Sequence, residues 1–218
     1  MAKTSIIFDL DGVIVDTAKF HFLAWKNLAN SIDINFTEQE NEQLKGVSRI
    51  KSLEKILQWG NKKLSQDEFD RLMHQKNTEY LTFVDQMTED DILPEVKPTL
   101  DFLKSKGTPI ALGSASKNAK RILKQVNLTH YFDAIVDGTV VTKAKPDPQV
   151  FVTAAKQLNS KPQNCIVFED SVAGVQAANA AEMLSVGIGK TPVLGEANYV
   201  FSDFTEISQN FLEKLLNQ

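Results

Sequence analysis

Ser5-Ile6-Ile7-Phe8-Asp9-Leu10-Asp11-Gly12 is the stretch that decides how the chain is read. Ser5 to Phe8 is a short apolar run, of the kind that makes a strand buried on both faces. It stops abruptly at two carboxylates with a glycine behind them. Side chains alternate along a strand, so Asp9 and Asp11 should leave its end pointing the same way. In an open α/β sheet, that carboxyl end is where ligands bind. Two acids held together repel each other unless a cation lies between them. The stretch therefore predicts a metal-assisted site, against the plainer reading that one Asp caps a turn.

Working outward, Val13-Ile14-Val15 ends at Asp16-Thr17, either of which can cap a helix over Thr17–Ile32. In that helix Phe20, Leu23, Ala24 and Leu28 form one apolar stripe. Further helical patterns cover Thr37–Lys45, Arg49–Gln58 and Ser65–Tyr80, the last opened by the capping-box spacing of Ser65 and Glu68. No strand pattern interrupts them. From Pro94 the rhythm alternates: helices at Val96–Lys106, Lys117–Val126, Pro148–Leu158 and Val172–Ala180 precede strands at Pro109–Gly113, Ala134–Asp137, Cys165–Phe168 and Met183–Val186. A last helix covers Glu206–Leu216. Such alternation predicts an α/β fold with a Rossmann-like, doubly wound parallel sheet. Residues 1–15 and 93–218 form the expected core, and 16–92 an inserted helical cap domain over the strand ends.

Each later strand end should then deliver something to the same edge. Gly113-Ser114-Ala115-Ser116-Lys117-Asn118 leads into a helix with small hydroxyl residues, which suits an anion and equally suits a plain Ser cap. Lys145 precedes Pro146 in a loop pinned by two prolines; it is either a phosphate-binding point charge or a solvated lysine. Phe168-Glu169-Asp170-Ser171 ends a buried strand in a second acidic pair, with helix capping by Asp170 or Ser171 as the alternative. An oxygen-rich set of this kind suits Mg²⁺, which keeps positions for water and substrate phosphate. Acids, a lysine and an anion cradle at one sheet edge predict phosphoryl transfer. Gly187-Ile188-Gly189-Lys190-Thr191 resembles the end of a nucleotide P-loop, but the required first glycine is Leu184, so it is read as a loop.

Composition sets outer limits. With 218 residues, 42% hydrophobic and 24% charged, the chain can bury a full core and is ordinary for a soluble protein. A net charge of −4 argues against a nucleic-acid partner. No stretch has the length of a membrane span, no signal peptide is expected, and the single Cys165 lies in a strand-like run. Asn35-Phe36-Thr37 and Asn127-Leu128-Thr129 match the glycosylation pattern, which matters only in a secreted protein. The expectation is a cytoplasmic monomer that touches no membrane.

The ordered set Asp9-Leu10-Asp11-Gly12-Val13, Ser114, Lys145-Pro146 and Glu169-Asp170 resembles the haloacid dehalogenase superfamily of phosphotransferases. The insertion narrows the likeness to the superfamily's phosphosugar mutases, through Asp16-Thr17-Ala18 with His21 and Trp25, Leu44-Lys45-Gly46-Val47-Ser48-Arg49, and Lys76-Asn77. That resemblance implies interconversion of β-glucose 1-phosphate and glucose 6-phosphate through β-glucose 1,6-bisphosphate. It makes Asp9 the nucleophile and Asp11 the general acid/base. It gives Mg²⁺ to Asp9, the Asp11 carbonyl, Glu169 and Asp170, and the transferring phosphate to Ser114, Ala115 and Lys145. The rest of the sugar phosphate falls to Thr17, His21, Trp25, Gly46, Val47, Ser48, Arg49, Ser52, Lys76, Asn77, Ser116, Lys117 and Asn118. By residue type alone, His21 and Trp25 suit lid packing as well, and Lys76 and Asn77 a solvated helix end. A phosphatase of small phosphate esters on the same scaffold is the alternative, because the core signatures serve both reactions. A catalytically silent sugar-phosphate binder is a third reading, against which the intact acid pair argues.

Overall fold

Six strands, β1 (Ser5–Phe8), β2 (Ile110–Gly113), β3 (Ala134–Val136), β4 (Cys165–Glu169), β5 (Leu184–Ile188) and β6 (Tyr199–Phe201), form one parallel sheet in the order β3-β2-β1-β4-β5-β6. The computed structural model that gives this sheet describes residues 3–44 and 47–217. The chain winds outward from β1 to β3, crosses back over β1, and winds outward again to β6. The reversal falls between β1 and β4, and a crevice opens there at the carboxyl ends of the strands. In register Phe8 lies opposite Phe168, so the residues that follow, Asp9 and Glu169, are neighbours across the sheet.

Every residue of β1, β2 and β4 is buried, which is why they read as continuous apolar runs. Alternation along them divides the core in two. Ile6, Phe8, Leu112 and Phe168 face α5 (Val96–Ser105), α6 (Ala119–Gln125) and α10 (Gln209–Leu216). Ile7, Ala111 and Val167 face α7 (Gln149–Gln157) and α8 (Val172–Ala180). The expected α/β doubly wound core is the observed fold.

Between β1 and β2 run α1 (Ala18–Ser31), α2 (Glu38–Glu42), α3 (Arg49–Trp59) and α4 (Gln66–Val84). They share an apolar cluster of their own, built on Trp25, Leu28, Phe36, Leu53, Ile56 and Leu72. Local chemistry starts two of them: Thr37 with Glu40 and Ser65 with Glu68 each form a complete capping box. Thr17 stands at the N-cap of α1 without a capping side-chain bond, and Asp16 accepts from the Ala18 amide instead.

Several expectations need correction. The stripe on α1 is turned: Leu23 is 43% exposed while Trp25 is 3% exposed, because the packed face is the one that meets the insert's own cluster. α2 stops at Glu42 and α4 continues past Tyr80 to Val84, carried by Leu81, Phe83 and Val84 against the main core. Gly187 and Ile188 belong to β5 rather than to a loop, and Thr191 opens a short helix, α9 (Thr191–Leu194). β6 is a further strand outside the sequence expectations, its three residues only half-buried at the edge of the sheet. No described helix is long and apolar enough to cross a membrane.

Candidate active site

Asp9 leaves β1 with its N–H donated to the Phe168 carbonyl at 2.9 Å, so the pairing of β1 and β4 extends into the site. Lys145 enters from the loop between β3 and α7. Its Nζ donates to Asp9 Oδ1 at 2.6 Å and to Glu169 Oε2 at 2.7 Å, with all three side chains buried. The Phe151 ring lies 4.7 Å beneath the ammonium. Burial alone would push this lysine's pKa down, but the charges of Asp9 and Glu169 and their hydrogen bonds raise it above its usual value. Lys145 is permanently charged.

Glu169 is held from the other side by Ser171, whose hydroxyl donates to Oε1 at 2.5 Å and whose N–H donates at 3.2 Å. Ser171 also accepts from the Gly174 amide and so caps α8; the capping reading of that residue holds. Burial, then the Asp9 charge, raises the Glu169 pKa, with Lys145 and Ser171 pulling back. Asp170 completes the group: Asp9, Glu169 and Asp170 each place a carboxylate oxygen within 4.8 Å of the others. Gly12 is required beside it. At φ +83° a Cβ there would lie 2.2 Å from Asp170 Oδ2, so any side chain would displace the carboxylate. Three oxygen donors beside a fixed lysine fit a small hard dication.

Asp11 lies above this group. Its N–H donates to Asp9 Oδ2 at 3.1 Å, and its Oδ1 accepts from the Thr17 hydroxyl. Burial first, then the Asp9 charge, raises its pKa to about 6, against opposing pulls from Thr17, Lys145 and Lys76. A carboxyl poised there can hold or release a proton near neutrality. Ser114 is buried at the end of β2, its N–H on the Val136 carbonyl, and its Oγ accepts from the Ser116 amide. Ser116 in turn accepts from the Asn118 amide, so both hydroxyls shape the turn before α6.

The insert contributes a second cluster. Lys76 on α4 is 1% exposed, with Nζ 2.9 Å from His21 Nδ1 and 4.6 Å from the ring centres of both Trp25 and Tyr80. It forms no ion pair with a carboxylate among the described residues. Burial, then the neighbouring Arg49, lowers its pKa to about 7. His21, stacked on Tyr80 at 4.2 Å, is pushed well below its usual value by burial and by Lys76 and Arg49, so it is neutral. Arg49 is the first residue of α3, where Ser48 caps the helix by accepting from the Lys51 amide. The Val47 amide donates to the Leu44 carbonyl, and the buried Ser52 hydroxyl donates to the Ser48 carbonyl, so both hold the start of α3. Asn77 Oδ1 accepts from Asn118 Nδ2 at 3.1 Å, a direct link from α4 to the strand-edge loop. Gly46 lies outside the described residues.

Residues 4–182 match the family model for haloacid dehalogenase-like hydrolases. The chain belongs to the haloacid dehalogenase-like hydrolase family. Within it, the chain is 43% identical over 213 residues to a β-phosphoglucomutase of Bacillus subtilis, covering 96% of this chain and 94% of that protein. A crystal structure of β-phosphoglucomutase from Clostridium difficile matches with TM-score 0.94 and 42% identity, over 100% of this chain and 98% of that one. A phosphorylated carbohydrates phosphatase of Thermotoga maritima is 32% identical, with 81% of each chain covered.

Two features of the site lie beyond the sequence reading. Ser171 was weighed only as a cap, although it braces Glu169. Tyr80 enters that reading only as the end of a helix, yet it follows Lys76 by four residues and so shares its helix face, a signal present in the sequence. Trp25 does double duty, in the insert's apolar cluster and under the Lys76 ammonium.

Proposed function

We propose that this protein interconverts β-glucose 1-phosphate and glucose 6-phosphate, through a phospho-aspartate on Asp9 and β-glucose 1,6-bisphosphate. The observation that carries the reading is a pair of cationic groups of opposite character. Lys145 is locked between two carboxylates at the strand edge, while Lys76 and Arg49 stand on the insert with no acidic partner among the described residues. A bisphosphate has one phosphate for each. The high identity to a β-phosphoglucomutase supports the same substrate.

In this reading an Asp9 carboxylate oxygen forms a bond to phosphorus as the bond from phosphorus to the sugar oxygen breaks. Asp11 gives its proton to that departing oxygen, and in the other half-reaction it takes the proton of the attacking hydroxyl. Its pKa of about 6 suits both duties. Ser114, the Ala115 backbone and Lys145 hold the transferring phosphoryl group. Asp9, Glu169, Asp170 and the Asp11 carbonyl would hold Mg²⁺, which when bound neutralises charge on that group. Arg49 grips the distant phosphate, joined by Ser116, Lys117 and Asn118. Thr17, His21, Trp25, Lys76 and Asn77 line the sugar's side of the site, while Gly46, Val47, Ser48 and Ser52 present Arg49. Residues 16–92 act as a cap on the core of residues 1–15 and 93–218; the Asn77 to Asn118 hydrogen bond is one contact that a closed cap would use to exclude water. The working form is a cytoplasmic monomer acting on small sugar phosphates.

A phosphatase is the second reading, favoured by the likeness to the Thermotoga maritima phosphatase. The deciding assay gives the purified protein Mg²⁺ and β-glucose 1-phosphate, with a trace of the 1,6-bisphosphate, and follows glucose 6-phosphate and free phosphate together. Glucose 6-phosphate with little free phosphate is expected. Free phosphate as the main product would replace the mutase by the phosphatase.

A further inference from the structure

Tyr80 lies one helical turn beyond Lys76 on α4, is 1% exposed, and carries a buried hydroxyl with no hydrogen-bond partner of ordinary geometry. Phenylalanine would fill the same space without stranding a donor. Leaving such a group unpaired shifts a folding equilibrium by roughly tenfold, so a hydroxyl retained there calls for a use. Its surroundings are restrictive. The ring is stacked on His21 with centroids 4.2 Å apart and carries the Lys76 ammonium 4.6 Å from its centre, so the hydroxyl's position is set by the whole cluster. The Thr17 hydroxyl lies beside it, and the charges of Asp11 and Arg49 act on it. Thr17 has already given its one proton to Asp11 Oδ1, so only lone pairs remain to face Tyr80.

We infer that Tyr80 is a positioning residue for Asp11: in the substrate-loaded site its hydroxyl donates into the Thr17 oxygen, completing a chain from Tyr80 through Thr17 to Asp11. Such a chain polarises along its length and fixes the orientation of the last acceptor. It steadies Asp11 through Oδ1 and leaves Oδ2, which makes no hydrogen bond among the described residues, for proton exchange with the sugar. The inference rests on Asp11 being the acid/base group.

The test compares wild type, Tyr80→Phe, Thr17→Val and the double variant in two half-reactions. Acetyl phosphate has a weakly basic carboxylate leaving group, so phosphorylation of Asp9 by it needs no proton from Asp11. Transfer from phospho-Asp9 to glucose 6-phosphate does need Asp11, which must take the proton of the attacking hydroxyl. Tyr80→Phe is expected to slow transfer to glucose 6-phosphate about tenfold while changing phosphorylation by acetyl phosphate less than about twofold. Its Tm should be no lower than wild type, and the loss should vanish in the Thr17→Val background. Unchanged transfer, equal slowing of both half-reactions, a loss that persists without the Thr17 hydroxyl, or a lowered Tm would each overturn the inference. Asp11→Ala separates the two levels. If it transfers normally, the acid/base reading fails and takes this inference with it; if it is inactive while Tyr80→Phe is normal, only the inference fails.

Discussion

Two buried lysines, Lys145 in the core and Lys76 on the insert, are solvated in opposite ways. Lys145 sits between Asp9 and Glu169 at 2.6 and 2.7 Å, and those carboxylates hold its pKa above the ordinary value. Lys76 has two aromatic faces and a neutral histidine instead, and its pKa falls to about 7. The first arrangement is complete within the protein: charge is balanced and geometry is rigid, as a reacting centre needs. The second is incomplete, because a cation buried without an anion is destabilising until one arrives. The difference fits the proposed division, in which the strand edge performs chemistry and the insert waits for the substrate's own charge.

Removing the proposed nucleophile should have the largest effect on this contrast. Asp9→Asn is expected to abolish phosphoenzyme formation and turnover, measured with a labelled phosphoryl donor and by product assay; normal turnover would mean that the strand edge is not the reacting centre. Lys145→Ala should come next. Without added Mg²⁺ it leaves Asp9 and Glu169 facing each other, and denaturant unfolding should register a loss of about 3 kcal/mol. Added Mg²⁺ should restore part of it, and a variant as stable as wild type would remove the balanced-centre reading. Arg49→Ala is expected to lower mutase kcat/KM by roughly 10- to 100-fold, the scale of a lost charged contact to phosphate. Hydrolysis of a small monophosphate should fall less, and equal losses would deny Arg49 the distant phosphate.

The smallest effect concerns Lys76 and is one of stability. In the folded chain its pKa is about 7, against an ordinary value of 10.5. Between those values the unfolded chain binds more protons, so stability rises with pH through that window, and the buried charge is most harmful below pH 7. Lys76→Met should therefore stabilise the apoprotein at pH 6, with the gain shrinking toward pH 10. A pH-independent difference would show that Lys76 is neutralised by something else.

Much of the strand edge was legible because its signals are local. Apolar runs ending in Asp9, Ser114 and Glu169, with Lys145 held in a proline-flanked loop, announce themselves within a few residues. The insert was less legible. Helical spacing put Leu23 on the buried stripe and left Trp25 beside it, whereas packing against the insert's own cluster exposes the first and buries the second. The helical pattern read to Tyr80 stops short of α4's end at Val84, and the spacing that puts Tyr80 on the Lys76 face does not say what its hydroxyl meets.

By itself the sequence determined where strands end in acids, where helices begin with caps, and that the helical run interrupts the sheet after its first strand. Those features depend on backbone geometry and side-chain period over a few residues. Only the tertiary structure decided that Asp9 lies beside Glu169, that Lys145 spans them, and that Lys76 rests on Trp25, His21 and Tyr80. These pairings join segments far apart in the chain, 136 positions for Asp9 and Lys145 alone, through strand order and helix faces. Whether a charge there is balanced or left waiting depends on the partners and the solvent the fold leaves it, and residue type alone carries neither.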